Sequence, residues 1–348
     1  MTQETTENRD ELVALRRLSA RIGKDPALVQ AAGGNTSIKQ EGVLWIKASG
    51  TWLSQALERN IMVPVRLKPL LTALAANDPA AEKAQGFVIE DANPENLRPS
   101  IETTLHAAMP QKVVVHAHCV ETIAWSARWD GETALQDKLR DFDWAWIPYV
   151  RPGLPLSRAI AERTSATTSV LVLANHGLVV AADSVAEAEK LLAAVSEALR
   201  NPTRDLPAAN HEKLTAIAAD LPYRLPRHSD SHAVALDPLS RRIASGGSLY
   251  PDHVIFLGSG ATALAPGETP KQMLAGREQA PAILLIPDAG TLLHESVSES
   301  GEELARCLAH VTSRIAAETP VRYLTAEQDD ELLNWDAEKY RKQLEAQL

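Results

Sequence analysis

Residues 113–120 read VVVHAHCV: three valines run straight into two histidines separated by one alanine. The run is apolar and β-branched, which predicts a buried strand. Side chains two apart on a strand share a face. His116 and His118 therefore project together, while Val113, Val115, Ala117 and Cys119 point the other way. Two polar rings on an apolar strand need partners, because burying them unpaired is costly. A pair of satisfied core histidines is one reading. The other is half of a metal site, presented by a rigid strand.

A third ligand stands in SVLVLANHGLVVAA (169–182), which predicts two strands joined by a turn at Asn175-His176-Gly177. The turn fixes the backbone and exposes the His176 ring at a sheet end. Three neutral nitrogen ligands leave a coordination position open, the pattern of a catalytic zinc site rather than a structural one. Mn2+ or Co2+ are alternatives to Zn2+. No cysteine joins the set, and Cys119 falls on the core face. Fourteen residues before His116 stands Glu102, in RPSIETTLH (98–106). A carboxylate beside an open metal serves as a fourth ligand or as a general base. Alternatively, Glu102 is a helix N-terminal acid with Ser100 as cap. His106, one turn on, shares its helix face and is read as support rather than as a direct ligand.

The rest of the chain bounds the class. Its 348 residues suggest two domains, at 1–205 and 210–348, with the loop-like NPTRDLPAANHE (201–212) between them. A formal net charge of −10 gives no basic footprint for nucleic acid or an anionic membrane. No apolar stretch reaches spanning length, and MTQETTENRDEL lacks the pattern of a signal peptide. Two cysteines, Cys119 and Cys307, make no disulfide framework, so the cytoplasm is the expected location. Helical spacing covers 9–31, Thr103 to Met109, and 121–129. A further helix follows an Asp183 or Ser184 cap, and VLWIKASG (43–50) is a strand. DWAWIPYVRPGLPLS (143–157) reads as irregular because of its prolines and glycine. In the second half, HVIFLG (253–258) and 282–286 are strand candidates, 298–318 is a helix, and NWDAEKYRKQLEAQL is a terminal helix.

The two halves echo each other. The stretches 170–192 and 283–305 share the order strand, glycine turn, strand, serine-capped acidic helix, and PQKVVVHAH (110–118) parallels PDHVIFLGS (251–259). The C-terminal part then reads either as a degenerate repeat in which Leu257, Ser259 and Ala289 replace the three histidines, or as an unrelated unit, since strand–turn–helix units look alike at this length and the spacings between the matching stretches differ. On the repeat reading the second half holds no metal ligand, and the three-histidine site is chemically complete without it.

GGNTS, SGT, PSIET…LH, HAH, PYVRPG and NHG, in that order, resemble the class II aldolase/adducin family over roughly residues 9–200. The whole chain also resembles the aldolase part of rhamnulose-1-phosphate aldolase/alcohol dehydrogenase fusions. The resemblance implies an α/β/α sandwich with a largely antiparallel central sheet, and a homo-oligomer, commonly a tetramer. It implies a sugar or sugar-phosphate substrate, with His116, His118 and His176 as zinc ligands and Glu102 as acid/base. It further implies that Asn35, Ser49, Gly50 and Ser100 hold the substrate phosphate, and that Tyr149 donates a proton in a neighbouring subunit's site. Ile101 departs from the pattern, since a hydroxyl residue usually precedes the glutamate. The family's second tyrosine has no clear match, Tyr340 being the nearest candidate.

The chemistry is consistent. Cleaving a bond between oxygenated carbons beside a ketone leaves negative charge that a divalent cation stabilises. Backbone amides of the GGNTS and SGT loops suit an anionic substrate end. The expectation is a reversible retro-aldol cleavage of a keto sugar, sugar phosphate or sugar acid. The rivals are an epimerase or decarboxylase using the same site, and a non-catalytic adducin-like interaction module.

Overall fold

The β-branched runs around the histidine stretch pair into one large sheet in the computed structural model, which describes residues 3–275 and 277–335. The first half of the chain contributes α1 (Gln3–Ile22), β1 (Asn35–Gln40), β2 (Val43–Lys47), β3 (Met62–Arg66), α2 (Leu67–Ala75), α3 (Thr103–Ala108) and β4 (Val113–Ala117). It continues through α4 (Val120–Ser126), α5 (Gly131–Leu135), β5 (Trp144–Ile147), α6 (Leu154–Ala161), β6 (Val170–Leu173), β7 (Gly177–Ala182) and α7 (Val185–Ala198). The seven strands lie in the order β3-β2-β1-β4-β7-β6-β5. Every neighbouring pair is antiparallel except β5 with β6. The strand alternation expected of VVVHAHCV holds. Val113, Val115, Ala117 and Cys119 enter a core with Leu15, Leu18 and Leu192, whereas Val114 packs with Leu105, Met109 and Ile160 on the other face. Helices thus cover both faces of a largely antiparallel sheet, as expected.

Two local expectations give way. The first helix stops at Ile22, where Gly23 closes it onto the Ser19 carbonyl, and residues 23–34 are turns rather than helix. The proline-rich stretch at 143–157 carries order at both ends. Trp144–Ile147 joins the sheet edge beside β6, and Leu154–Ala161 is a helix. Pro155 sits in that helix's first turn, where a missing amide donor costs nothing.

The second half contains α8 (His211–Ala218), β8 (Tyr223–Arg224), α9 (Ala233–Leu236), α10 (Pro238–Ser245), α11 (Pro251–Leu257) and β9 (Thr262–Ala263). α12 (Pro270–Ala275), β10 (Ile283–Ile286), β11 (Gly290–His294), α13 (Glu299–Arg314) and α14 (Ala326–Asn334) follow. Its smaller sheet has the order β8-β11-β10-β9. The echo is real where β10, β11 and α13 repeat β6, β7 and α7. Asn175 and Asp288 take left-handed φ values of 52° and 58° in the two turns. The amides of His176 and Ala289, one residue on, donate to Leu173 and Ile286. Ser184 and Ser298 cap the two helices through their hydroxyls. The echo fails at 251–259. HVIFLG is not a strand: Pro251 opens a helix in which Val254, Ile255 and Leu257 are buried. Tyr340 and nearly all of the expected terminal helix lie outside the described residues. Among the described residues no helix is long and apolar enough to cross a membrane.

The halves share a core. Val120, Ile123, Ala124 and Ala127 of the α4 region pack with Val234, Leu249, Leu304 and Leu308.

Candidate metal centre

The sheet register builds the site. β1 pairs with β4 so that Asn35 lies opposite His116, and β7 pairs with the other edge of β4 so that Leu178 lies opposite Ala117. β4 ends at Ala117, and His118 follows it out of the strand. His176 arrives from the β6–β7 turn. The three rings converge, with ligand nitrogens all within 4.8 Å of one another and ring centroids 4.8–5.2 Å apart. Gly177 permits this approach, because a Cβ there would come 2.6 Å from the Ala117 carbonyl oxygen.

The donor set fits a divalent cation. His116 uses Nδ1 on the Leu178 carbonyl at 3.0 Å, leaving Nε2 to face His118 Nε2 at 3.1 Å. Burial lowers the His116 pKa, and lowers that of His176 to about 3, so both rings are neutral with lone pairs available. Glu102 approaches His116 at 3.4 Å through Oε2 and His176 at 3.7 Å through Oε1. Its Oε1 is buried without a hydrogen-bond partner among the described residues. Burial raises the Glu102 pKa, but His116, His176 and a hydrogen bond from Asn35 outweigh it and hold the carboxyl at about 2.

Glu102 sits at the N-cap position of α3, one residue before the helix. Contrary to expectation, the Ser100 side chain does not cap that helix. Its hydroxyl instead accepts from the Glu102 amide at 3.3 Å and from Asn35 Nδ2 at 3.2 Å. Asn35 also donates to Glu102 Oε2 at 2.8 Å, so its amide oxygen faces His106 Nε2, which must donate. His106 Nδ1 then accepts from the Ser37 hydroxyl at 2.7 Å. Burial holds His106 neutral, with a pKa of about 3. His106 therefore supports Asn35, which supports Glu102.

Asn35, Ser49, Gly50, Ser100 and Glu102 line one cleft with His118 and His176. The Gly33 and Ser49 amides are already committed, to the Gln30 and Arg98 carbonyls, so not every loop amide is available to an anion. Tyr149 does not line this cleft; it is half-buried and packs with Val254, Leu324 and Leu332. Two residues escaped the sequence reading. Lys47 lines the cleft and donates to the Ala32 and Gly34 carbonyls at 2.6 and 3.0 Å. Asp252 lines it from α11 and meets His118 Nδ1 at 3.1 Å. The second half therefore contributes to the wall of the cleft, while the three histidines all come from the first half. Proline followed by aspartate is a helix-start signal, and it was available in PDHVIFLG.

The chain belongs to the class II aldolase and adducin N-terminal domain family, whose pattern it matches over residues 13–201, more than half of its length. It is 31% identical over 173 residues to the uncharacterized oxidoreductase YuxG of Bacillus subtilis (strain 168), covering 45% of this chain and 24% of that one. The chain thus spans about a quarter of that relative's length. The N-terminal class II aldolase domain of a conserved protein from Thermoplasma acidophilum is 26% identical, with a TM-score of 0.47, over 53% of this chain and 90% of that one. The l-fuculose-1-phosphate aldolase of Thermus thermophilus is 19% identical, with a TM-score of 0.36, over 54% and 91%.

Proposed function

We propose that this chain is a zinc-dependent aldehyde lyase that reversibly cleaves a keto sugar, sugar phosphate or sugar acid. The observation that carries the reading is the meeting of three imidazoles with a charged Glu102, one oxygen of which has no hydrogen bond among the described residues. His116, His118 and His176 would hold the cation. When bound, it supplies Lewis-acid stabilisation of the charge left by carbon–carbon cleavage. Glu102 Oε1 takes the hydroxyl proton of the carbon being released, while Asn35 holds Oε2 still. Ser49, Gly50 and Ser100 receive the far end of the substrate. The buried ammonium of Lys47 beside them supports an anionic end, offsetting the hydroxyl missing at Ile101.

In this reading residues 1–205 supply the metal ligands and Glu102, and 210–348 form a second unit without metal ligands that adds Asp252 to the cleft wall. The protein is a cytoplasmic homo-oligomer, a tetramer being favoured, in which Tyr149 returns a proton in a neighbour's cleft. The test is a screen of zinc-loaded protein against ketose phosphates, ketoses and keto acids. Aldehyde release is expected, together with its loss on chelation. Carbon dioxide release would assign a decarboxylase, stereochemical inversion without fragments an epimerase, and no turnover with any class would sink the enzyme reading.

A further inference from the structure

We propose that Asp252, carried by α11 in the second half of the chain, is a positioning residue for the three-histidine centre. It fixes His118 as the Nδ1–H tautomer and turns Nε2 toward a cation shared with His116 and His176. The inference rests on the metal reading above.

The geometry comes from both halves. Asp252 Oδ2 lies 3.1 Å from His118 Nδ1, and the two side chains are 3% and 8% exposed. That contact is an ion pair rather than an aligned hydrogen bond; the carboxylate charge favours the proton on the nearer ring nitrogen, Nδ1, which leaves the lone pair on Nε2. The His116 ring is fixed the same way by the Leu178 carbonyl. With His118 in that tautomer, its Nε2 and the Nε2 of His116 face each other at 3.1 Å as two acceptors. Two lone pairs at that distance repel unless a cation or a proton stands between them. Asp252 and Leu178 thus create a demand for positive charge where the rings converge.

Gly33 supplies an independent observation. A Cβ at Gly33 would come 2.6 Å from His118 Nδ1 and 3.0 Å from Asp252 Oδ2. The first-half loop is bare of side chain where the second half's carboxylate reaches the ring. A carboxylate on the outer nitrogen of a ligating imidazole orients the ring and raises its basicity, and losing such a partner typically costs about 10–100-fold in metal affinity.

The experiment titrates the metal-free 348-residue chain with Co2+ alone, following its visible absorption and competition with a chelator. Wild type is compared with Asp252→Ala and with the near-isosteric Asp252→Asn, which keeps the volume and loses the charge. Asp252→Ala is expected to bind about 10–100-fold more weakly, with an altered absorption band. Asp252→Asn should lose less, and both metal-free variants should melt near wild type. If Asp252→Ala fails to fold, Asp252→Asn alone is decisive. Equal affinity in wild type and the folded variants overturns the role of Asp252 and leaves the metal centre standing. Lower melting with unchanged affinity also overturns it, because the residue is then only structural. Failure of wild type itself to bind Co2+ overturns the metal reading and this one with it.

Discussion

Glu102 has two oxygens in different circumstances. Oε2 is held by Asn35 at 2.8 Å, and Oε1 has no hydrogen bond among the described residues. A buried acceptor left without a partner is costly in a residue kept only for folding. Glu102→Gln keeps the shape and the Asn35 contact geometry but removes the base. Turnover should fall about 10²–10⁴-fold, while thermal melting moves little. Near-normal turnover in that variant would reduce Glu102 to a helix-terminal acid. This residue and the histidines were legible because their signals are local: a period of two on a strand, a tight turn, a helix start. Asn35 was legible as a substrate residue only by family resemblance. Its place as the hub between Ser100, Glu102 and His106 depends on the register of β1 against β4, which pairs residues some eighty positions apart. No local pattern encodes that pairing. Lys47 was missed for a related reason, since a strand-terminal lysine looks like a solvent contact until the 30–34 loop folds over it.

At the scale of elements, the turns of the two β-hairpins share their backbone and differ in what the left-handed residue does. Asn175 Nδ2 donates to the carbonyls of Leu249 and Arg322, at 3.0 and 2.8 Å, so a first-half turn is tied to two second-half segments. Asp288, in the same conformation, is exposed. Glycine adopts a left-handed φ freely. Asn175→Gly therefore keeps the turn and removes the donor to one buried and one partly buried carbonyl, a loss of about 1–3 kcal/mol. Asp288→Gly should stay within about 0.5 kcal/mol. Urea midpoints of the two variants compare them, and equal midpoints would show that Asn175 serves its own turn alone. The strand–turn–strand–helix echo was readable because glycine, serine caps and apolar runs sit at matching spacings. The misreading of 253–258 as a strand came from weighing a short apolar run above the Pro251–Asp252 helix start. Runs of that length are ambiguous by periodicity alone.

On the scale of the whole molecule, charge and core both bind the second half to itself and to the first. Asp230 accepts from Arg306 and His310 of α13 at 2.7 and 2.8 Å. Burial works to raise its pKa, but those hydrogen bonds outweigh it and hold the carboxyl well below the usual range. A carboxyl depressed in the folded state contributes stability that is present above its unfolded pKa, roughly 4, and is lost as the pH falls through the folded value. Asp230→Asn should therefore be less stable than wild type at neutral pH. The gap should begin to narrow below about pH 4 and close only as the pH falls through the depressed folded value, measured by denaturant unfolding across that range; a gap that stays constant below about pH 4 would assign the loss to packing. The larger coupling is apolar. Val120, Ile123 and Ala127 are fully buried, and their cluster is completed by Leu249, Leu304, Leu308 and Val311 from beyond residue 210. The sequence reading placed a boundary at 201–212 from composition, and composition cannot report which helix faces a linker brings together. Cutting the chain after residue 209 uncovers that face of α4, removes both carbonyl partners of Asn175 and takes Asp252 from His118. Each buried aliphatic side chain returned to water forfeits about 1.5–3 kcal/mol, enough in combination to consume the stability of a typical domain. The truncated protein is expected to be aggregated or molten, with weak metal binding. Co-expression of residues 210–348 as a separate chain should restore a soluble complex of normal metal content. A truncation that is monodisperse by sedimentation, cooperative in melting and metallated like the full chain would show that the second half is an appendage, and that the α4 face is covered by something other than its own chain.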